Sequence, residues 1–477
     1  MKAWLARTLV FGSSAAVLVL EILAGRLLAP YVGVSLETFT GIIGVVLAGI
    51  ALGSWAGGVL ADQRDASAAI GPALALGGAL AWLSLPIIRG LGPQFGDGPV
   101  AVLILTTAGF FLPSAVLSAV SPMVAKLRLK DLSDTGSVVG GLSAAGTIGA
   151  LAGTFITGFV LISAIPTRPI VMMVGALLVA GGAATHWALQ SQRPTVGAAV
   201  IILLAGVGGA TSTAPCQFET GYACVNIEVD PNNPSGRSLY LDQLRHAYVD
   251  LDDPTVLDIR YIRLFAQATD PVQPGEPLRT LHLGGGGFSF PQYLQHVRGG
   301  GYDLVLEIDP DLVDIAEDEL GFVQTPDLEV RTGDARNAVD ELPDDDYDLV
   351  IGDAFGGSSV PWHLTTREFL EEVDRVMRAD GLYVMNVIDG GENRFARAQV
   401  ATLQQVFEHV RVIVPTTGIP ELRRVNQVLI ASQSPIPDME IASADGRFVP
   451  DADLDTFVDG AGALRDDFAP VDQLLFS

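Results

Sequence analysis

Lysine is almost missing from this chain of 477 residues, which holds only Lys2, Lys126 and Lys130. Cysteine is rarer still, at two residues. Basic side chains are scarce overall: 28 against 54 acidic ones leave a formal net charge of −26. A chain this short of positive charge cannot coat a phosphate backbone, which excludes nucleic acid as a partner. Two cysteines cannot staple a small disulfide scaffold, and no further thiol or imidazole stands near them to complete a zinc site.

What the chain does have is apolar residues, 49% of the total. Acidity and apolarity are segregated. Residues 1–210 hold ten Lys/Arg and seven Asp/Glu, net +3, whereas residues 211–477 hold eighteen and forty-seven, net −29. A single globular enzyme is thereby excluded: a membrane half is joined to an acidic soluble half. An acidic, lysine-poor surface suits high salt, which screens its self-repulsion. A GC-rich genome also exchanges Lys for Arg, and composition leaves both origins open.

A membrane span needs about 20 apolar residues. Such runs fall near 8–29, 39–60, 68–88, 100–125, 138–163, 168–188 and 195–211, the last being short, so six or seven helices are expected. No cleavable signal peptide is evident, because the first run leads straight into further spans. Gly41, Gly44, Gly49, Gly53 and Gly57 line span 2 at a spacing that lets helices approach closely. With a cytoplasmic N-terminus, the inner segments carry Lys2, Arg7, Arg64, Lys126, Arg128, Lys130 and Arg193, and the outer loops carry Arg89 and Arg168. Span 1 contains Glu21 and Arg26. They read either as functional ionisable groups at membrane depth or as a mutual or interhelical ion pair, with Arg26 snorkelling near the outer end. The stretch Gly57 to Arg64 resembles the Gly-x-x-x-Asp-Arg loop of major-facilitator transporters, but the spans here make half of a twelve-span transporter.

Cys216 and Cys224 flank a short loop after the last span. They read as a disulfide, which an oxidising exterior would favour, or as two separate thiols. An odd span count would place the soluble half outside the cell.

From Thr280 onward, β-rich runs alternate with helical stretches in the manner of a doubly wound α/β sheet. Strands are expected at 279–283, 302–306, 328–331, 347–352, 382–388, 409–414 and 426–431, and helices near 288–297, 310–319, 365–378 and 395–407. Strands at 225–230 and 238–242 suggest a small β-lobe ahead of them. Gly284, Gly285, Gly286 and Gly287 follow the first strand of the alternating region, and Glu307 ends the second, 21 residues beyond Gly286. A glycine turn lets backbone approach a ligand, and an acidic strand end can take both ribose hydroxyls. A nucleoside-containing cofactor is indicated. Phe288 and Ser289 break the spaced pattern that nicotinamide sites use.

The ordered motifs over residues 222–431 resemble the spermidine synthase (polyamine aminopropyltransferase) family, in its membrane-fused form. Leu239-Tyr240-Leu241-Asp242 resembles the family's Leu-x-Leu-Asp-Gly strand, Leu281 to Gly286 its cofactor turn, and Leu306-Glu307-Ile308-Asp309-Pro310 its ribose-binding Glu-Ile-Asp. Gly333-Asp334-Ala335 sits where the family contacts adenine. Tyr347 to Asp353 resembles the strand ending in the catalytic Asp, and Leu364 to Phe369 the helix after it. The resemblance implies a Rossmann-like, methyltransferase-type domain, often homodimeric. Its co-substrate would be decarboxylated S-adenosylmethionine or S-adenosylmethionine, its partner a small amine, and Asp353 would be the catalytic carboxylate.

Departures from the family weaken the polyamine expectation. The family's turn continues with an Asp that holds the donor's amine, where this chain has Gly287. The Asp-Ser-x-Asp-Pro motif becomes Asp353-Ala354-Phe355-Gly356-Gly357, without its second Asp. The Gln after the first motif falls on His246, and the Tyr-His-Glu motif has no counterpart near 255–258. His246, Asp252, Trp362 and His363 are candidate substrate-binding residues, with Asp250 and Asp253 as acidic alternatives. His282 reads as a core residue, and Asp344-Asp345-Asp346 as a solvated loop, with no metal site expected.

The expected organisation is a multi-pass membrane domain over 1–212, a β-lobe and linker over 213–270, the Rossmann-type domain over 271–434 and a docked acidic tail over 435–477. Aminopropyl transfer is the leading reading. Methyl transfer from S-adenosylmethionine and a non-catalytic extracytoplasmic or transport-associated binding module are its rivals.

Overall fold

The computed structural model describes residues 1–96, 98–129, 134–190, 196–355, 360–416 and 424–476. Lys130, Arg193, Gly356 and Gly357, singled out above, lie outside the described residues. The chain forms two compact units, Met1–Cys224 and Val225–Ser477.

The first unit is helical: α1 (Ala3–Val32), α2 (Leu36–Gln63), α3 (Ala66–Leu91), α4 (Pro99–Arg128), α5 (Thr135–Ala164), α6 (Thr167–Gln190) and α7 (Val196–Thr211). Six of them, α1 to α6, are long and apolar enough to cross a membrane by length and composition, and α7 is a shorter apolar helix. Side chains mark the helix starts. Ser35 caps α2 by accepting from Thr38 N at 3.2 Å, and Asp65 caps α3 by accepting from Ser67 N at 2.9 Å.

The helices associate through glycine contacts. A Cβ on Gly53 of α2 would lie 2.7 Å from Ala115 Cα of α4, and one on Gly153 of α5 would lie 3.0 Å from Ala15 Cα of α1. Gly78 of α3 would meet the Gly175 carbonyl of α6 at 2.6 Å. Where hydrocarbon lies on both sides, such close backbone approach replaces the hydrophobic effect as the source of helix pairing. Of the glycines expected on span 2, Gly44 is the exception, with nothing within 4 Å of its added Cβ.

Arg26 does not pair with Glu21. It bonds to residues of the 212–224 segment, which includes the short strand β1 (Phe218–Glu219) and packs with the helices.

The second unit opens with an antiparallel meander of β2 (Cys224–Asp230), β3 (Asn233–Leu241) and β4 (Leu244–Asp250), followed by α8 (Arg260–Thr269). A Rossmann-like sheet follows, built from β5 (Arg279–Leu283), β6 (Tyr302–Glu307), β7 (Leu328–Thr332), β8 (Tyr347–Gly352), β9 (Met377–Asp389), β10 (His409–Val414), β11 (Val425–Ser432) and β12 (Arg447–Phe448). Its order is β12-β10-β11-β9-β8-β5-β6-β7. The β9-β8-β5-β6-β7 portion is parallel, and β10, β11 and β12 extend it antiparallel. All of Tyr347 to Gly352 in β8 is buried, as a strand covered on both faces requires.

The crossover helices are α9 (Ser289–Val297), α10 (Pro310–Glu319), α11 (Ala335–Val339), α12 (Arg367–Val376) and α13 (Arg394–Leu403). The tail beyond 435 supplies β12 and buries Leu464, Val471 and Leu475 in the core around α12 and α13.

The helix contacts generate a paired test. Gly53→Leu overpacks the α2–α4 contact and should cost about 1–3 kcal/mol, lowering the midpoint of thermal unfolding in detergent. Gly44→Leu, into open space, should leave the midpoint unchanged or slightly raised, because glycine weakens a helix by about 0.5–1 kcal/mol.

Candidate active site

The chain reverses its winding direction between β5 and β8, whose carboxyl ends therefore border a crevice. Gly284 to Gly287 leave β5 there, and Asp353 leaves β8. The two segments are locked together: Asp353 N donates to Leu283 O at 2.9 Å, and a Cβ on Gly284 would lie 2.5 Å from Asp353 O. Gly284 (φ +98°) and Gly286 (φ +52°) take the left-handed conformation that glycine allows.

Glu307 holds the turn in place. Its Oε2 accepts from Gly285 N at 2.8 Å and Gly286 N at 3.3 Å, and its Oε1 accepts from Asp309 N at 3.0 Å. Burial pushes the Glu307 carboxyl above its ordinary range, and these three backbone donors oppose that rise. Asp309 is buried and caps α10 through Asp311 N. Phe288, also left-handed, stacks on Phe322 with ring centroids 4.0 Å apart, so its side chain serves the wall behind the turn.

Asp353 accepts hydrogen bonds on both oxygens, from Tyr261 Oη and from Asn386 Nδ2, each at 2.9 Å. Asn386 is held in turn by Asn426 Nδ2 at 3.0 Å. Burial pushes the Asp353 carboxyl up to about 6, and the two hydrogen bonds pull it down. Burial and the neighbouring Asp353 charge hold the Tyr261 phenol well above its ordinary value. These three residues come from α8, the end of β8 and β9, so separate parts of the chain converge on one carboxylate.

His246 and His282 share the cavity with Tyr261, Asp353 and the glycine turn. Burial pushes the His246 imidazole down to about 4, which leaves it neutral, and its buried Nε2 has no protein partner. His282 sits 2.7 Å from Asp303, both buried, and Asp303 also accepts from Gln295 Nε2. His282 is thus a core residue that also reaches the cavity wall.

Asp334 caps α11 with Oδ1, accepting from Arg336 N at 3.0 Å, and meets His363 Nε2 with Oδ2 at 2.9 Å. Ala335 opens that helix and is buried. Trp362 is half exposed and sets its edge against His363. Arg336 joins this corner to the tail through Asp466 at 2.6 Å.

Asp252 does not reach the cavity. It is exposed on a turn that Asp250 stabilises by accepting from Asp252 N at 2.9 Å and Asp253 N at 3.2 Å, while Asp253 caps Thr255. Asp344 and Asp346 are paired with Arg375 and Arg279. Among the described residues, no group of three or more His, Cys, Asp and Glu side chains could hold a metal ion.

Sequence reasoning missed Tyr261 and Asn386. Tyr261 lies just beyond the 255–258 stretch, in a helix whose buried Tyr261, Ile262, Leu264, Phe265 and Ala268 follow a legible helical spacing. Asn386 carried no local signal, because its role depends on β9 lying beside β8. The loss at Gly287 opens no space: an added Cβ would collide with Ala247 Cβ on β4.

No family model matches the chain. The polyamine aminopropyltransferase of Vibrio vulnificus is 30% identical over 215 residues, which cover 42% of this chain and 70% of the relative. The chain belongs to the polyamine aminopropyltransferase family. The Chromobacterium violaceum polyamine aminopropyltransferase is 27% identical over 177 residues, 36% of this chain and 65% of that one. Among solved structures, a probable spermidine synthase from Corynebacterium glutamicum superposes with a TM-score of 0.50 at 25% identity, covering 54% of this chain and 99% of that one. This aminopropyltransferase-family chain is therefore a transferase of spermidine-synthase type.

The raised carboxyl sets a pH prediction. If the ionised form of Asp353 is the working one, kcat/KM should fall as pH drops through about 6. Asn386→Ala removes a hydrogen bond that favours the carboxylate, so the acid limb should move to higher pH; a pH–rate profile of both proteins checks this.

Proposed function

We propose that the chain anchors an aminopropyltransferase to a lipid bilayer, with its N-terminus cytoplasmic. The reaction moves an aminopropyl group from decarboxylated S-adenosylmethionine to a small amine. The observation that carries the reading is the Asp353 carboxylate, fixed by Tyr261 and Asn386 beside the glycine turn at one crevice.

In the transfer, the amine lone pair forms a bond to the carbon attached to the sulfonium. The carbon–sulfur bond breaks, its electron pair stays on sulfur as a neutral thioether, and one proton leaves the nitrogen. An amine in water is mostly protonated at neutral pH and cannot attack, so a carboxylate that aligns it and accepts its proton is required. Asp353 takes that role. Tyr261 and Asn386 hold its oxygens in place, and the neutral His246, whose Nε2 has no protein partner, lines the same cavity. When bound, the sulfonium donor supplies the electrophilic carbon. Glu307 would meet its ribose, with Asp309 shaping the strand end, while Asp334 and Ala335 would border its adenine beside His363 and Trp362.

The second reading, methyl transfer from intact S-adenosylmethionine, is favoured by Gly287, which leaves the turn without a carboxylate for the donor's amine. Calorimetric titration with both sulfonium compounds separates the two. Tighter binding of the decarboxylated form supports aminopropyl transfer, and tighter binding of the carboxylated form overturns it.

Asp353→Asn should lower transfer about 10²-fold or more, within the usual range for general acid–base groups, while donor affinity changes little. A variant that keeps its rate would remove Asp353 from the mechanism.

A further inference from the structure

The two ends of the helical unit differ in chemistry. At one end Arg128 Nη1 donates to Met1 O at 3.0 Å, and Lys126 pairs with Asp62 at 2.5 Å. Gln190 Nε2 donates there to Ser67 Oγ at 2.7 Å. Arg7 belongs to the same end, in the first turns of α1. At the opposite end stand Arg26, Tyr31, Arg89, Thr167 and Arg168, with Arg89 Nη1 3.5 Å from Tyr31 Oη.

Residues 216–224 are fastened to this second end. Cys216 and Cys224 are joined by a disulfide. Between them, Glu219 accepts from Thr167 N with both carboxylate oxygens at 3.1 Å, accepts from the Thr167 hydroxyl, and pairs with Arg26 at 3.4 Å. Arg26 also donates to Gly221 O at 3.0 Å and to Thr220 O.

Helix α7 connects the two ends. It follows α6, which finishes beside Ser67, and its last turn receives a hydrogen bond from Arg168 at Ala210 O. On the way it lies against α3 and α6: a Cβ on Gly206 would sit 3.0 Å from the Trp82 ring, and one on Gly209 would sit 3.1 Å from Met172 S. Its 16 residues rise about 24 Å. That is short of a hydrocarbon core of about 30 Å, a mismatch that bilayer thinning accommodates at modest cost. All seven helices therefore run from one end to the other.

Among the described residues outside or near the helix ends, Lys2, Arg7, Arg64, Lys126 and Arg128 gather at the first end. The second end has Arg26, Arg89 and Arg168. The bias of Lys and Arg assigns the first end to the cytoplasm.

We infer that the chain leaves the bilayer at Cys224 on the extracytoplasmic side, so that the residues following Val225 lie in that compartment. The second unit begins at Val225, and among its described residues no helix is long and apolar enough to return the chain. A disulfide at the exit point suits that compartment, since thiols stay reduced in most cytosols.

The test uses the full chain in intact cells. Glu319 is exposed at the end of α10, and both native cysteines are tied up in the disulfide. Glu319→Cys is therefore the one free thiol offered to a membrane-impermeant maleimide. Labelling before permeabilisation is expected, and labelling only after permeabilisation overturns the inference. Should that variant fail to accumulate, alkaline phosphatase fused after Ser477 of the unaltered chain replaces it. An active phosphatase supports the outer placement and an inactive one beside an accumulated fusion overturns it. Neither readout depends on which group the enzyme transfers, so this inference and the proposed reaction fail separately.

Discussion

The Asp353 carboxylate is the fixed point of the transferase unit. A buried carboxylate without partners would be costly, and here Tyr261 and Asn386 take one oxygen each. Satisfying it requires β9 to lie beside β8, and α8 to cross toward the carboxyl ends of the strands. The sheet order, with β5 and β8 adjacent at the switch point, brings the glycine turn to the same place. Topology and chemistry meet at one side chain.

Glu307 plays the matching part for the glycine turn. Its three backbone donors leave the turn little freedom, so a nucleoside would meet a preorganised edge. Gly287 lies against Ala247, which leaves no room for a side chain at that point of the turn. Among the described residues lining the cavity Asp353 is the single carboxylate, so the acidic surface of this half says little about the substrate.

Periodic features were legible in the sequence. The seven apolar runs correspond to α1–α7, and the alternating region yields β5, β8 and β10 at the expected residues. The glycine turn, Glu307 and Asp353 could be located because each is a local motif at a strand end. What stayed hidden depends on tertiary neighbours. Asn386 reads as one polar residue in an apolar strand, and Asp252, a candidate for substrate binding by sequence, is exposed on the turn that Asp250 holds. β4 was unreadable because Arg245 and His246 interrupt its alternation, and it forms by pairing with β3. The partner of Arg26 lay 193 residues away at Glu219, a distance at which no periodicity argument operates.

The central claim is that Asp353 serves displacement at the carbon next to a sulfonium by an amine. Mass spectrometry of the acceptor after incubation with the purified chain tests it most directly, with decarboxylated S-adenosylmethionine and S-adenosylmethionine supplied in parallel. The account predicts an acceptor enlarged by one aminopropyl group, with methylthioadenosine as co-product, from the decarboxylated donor alone. An acceptor carrying a methyl group, formed from the intact donor alone, would contradict it.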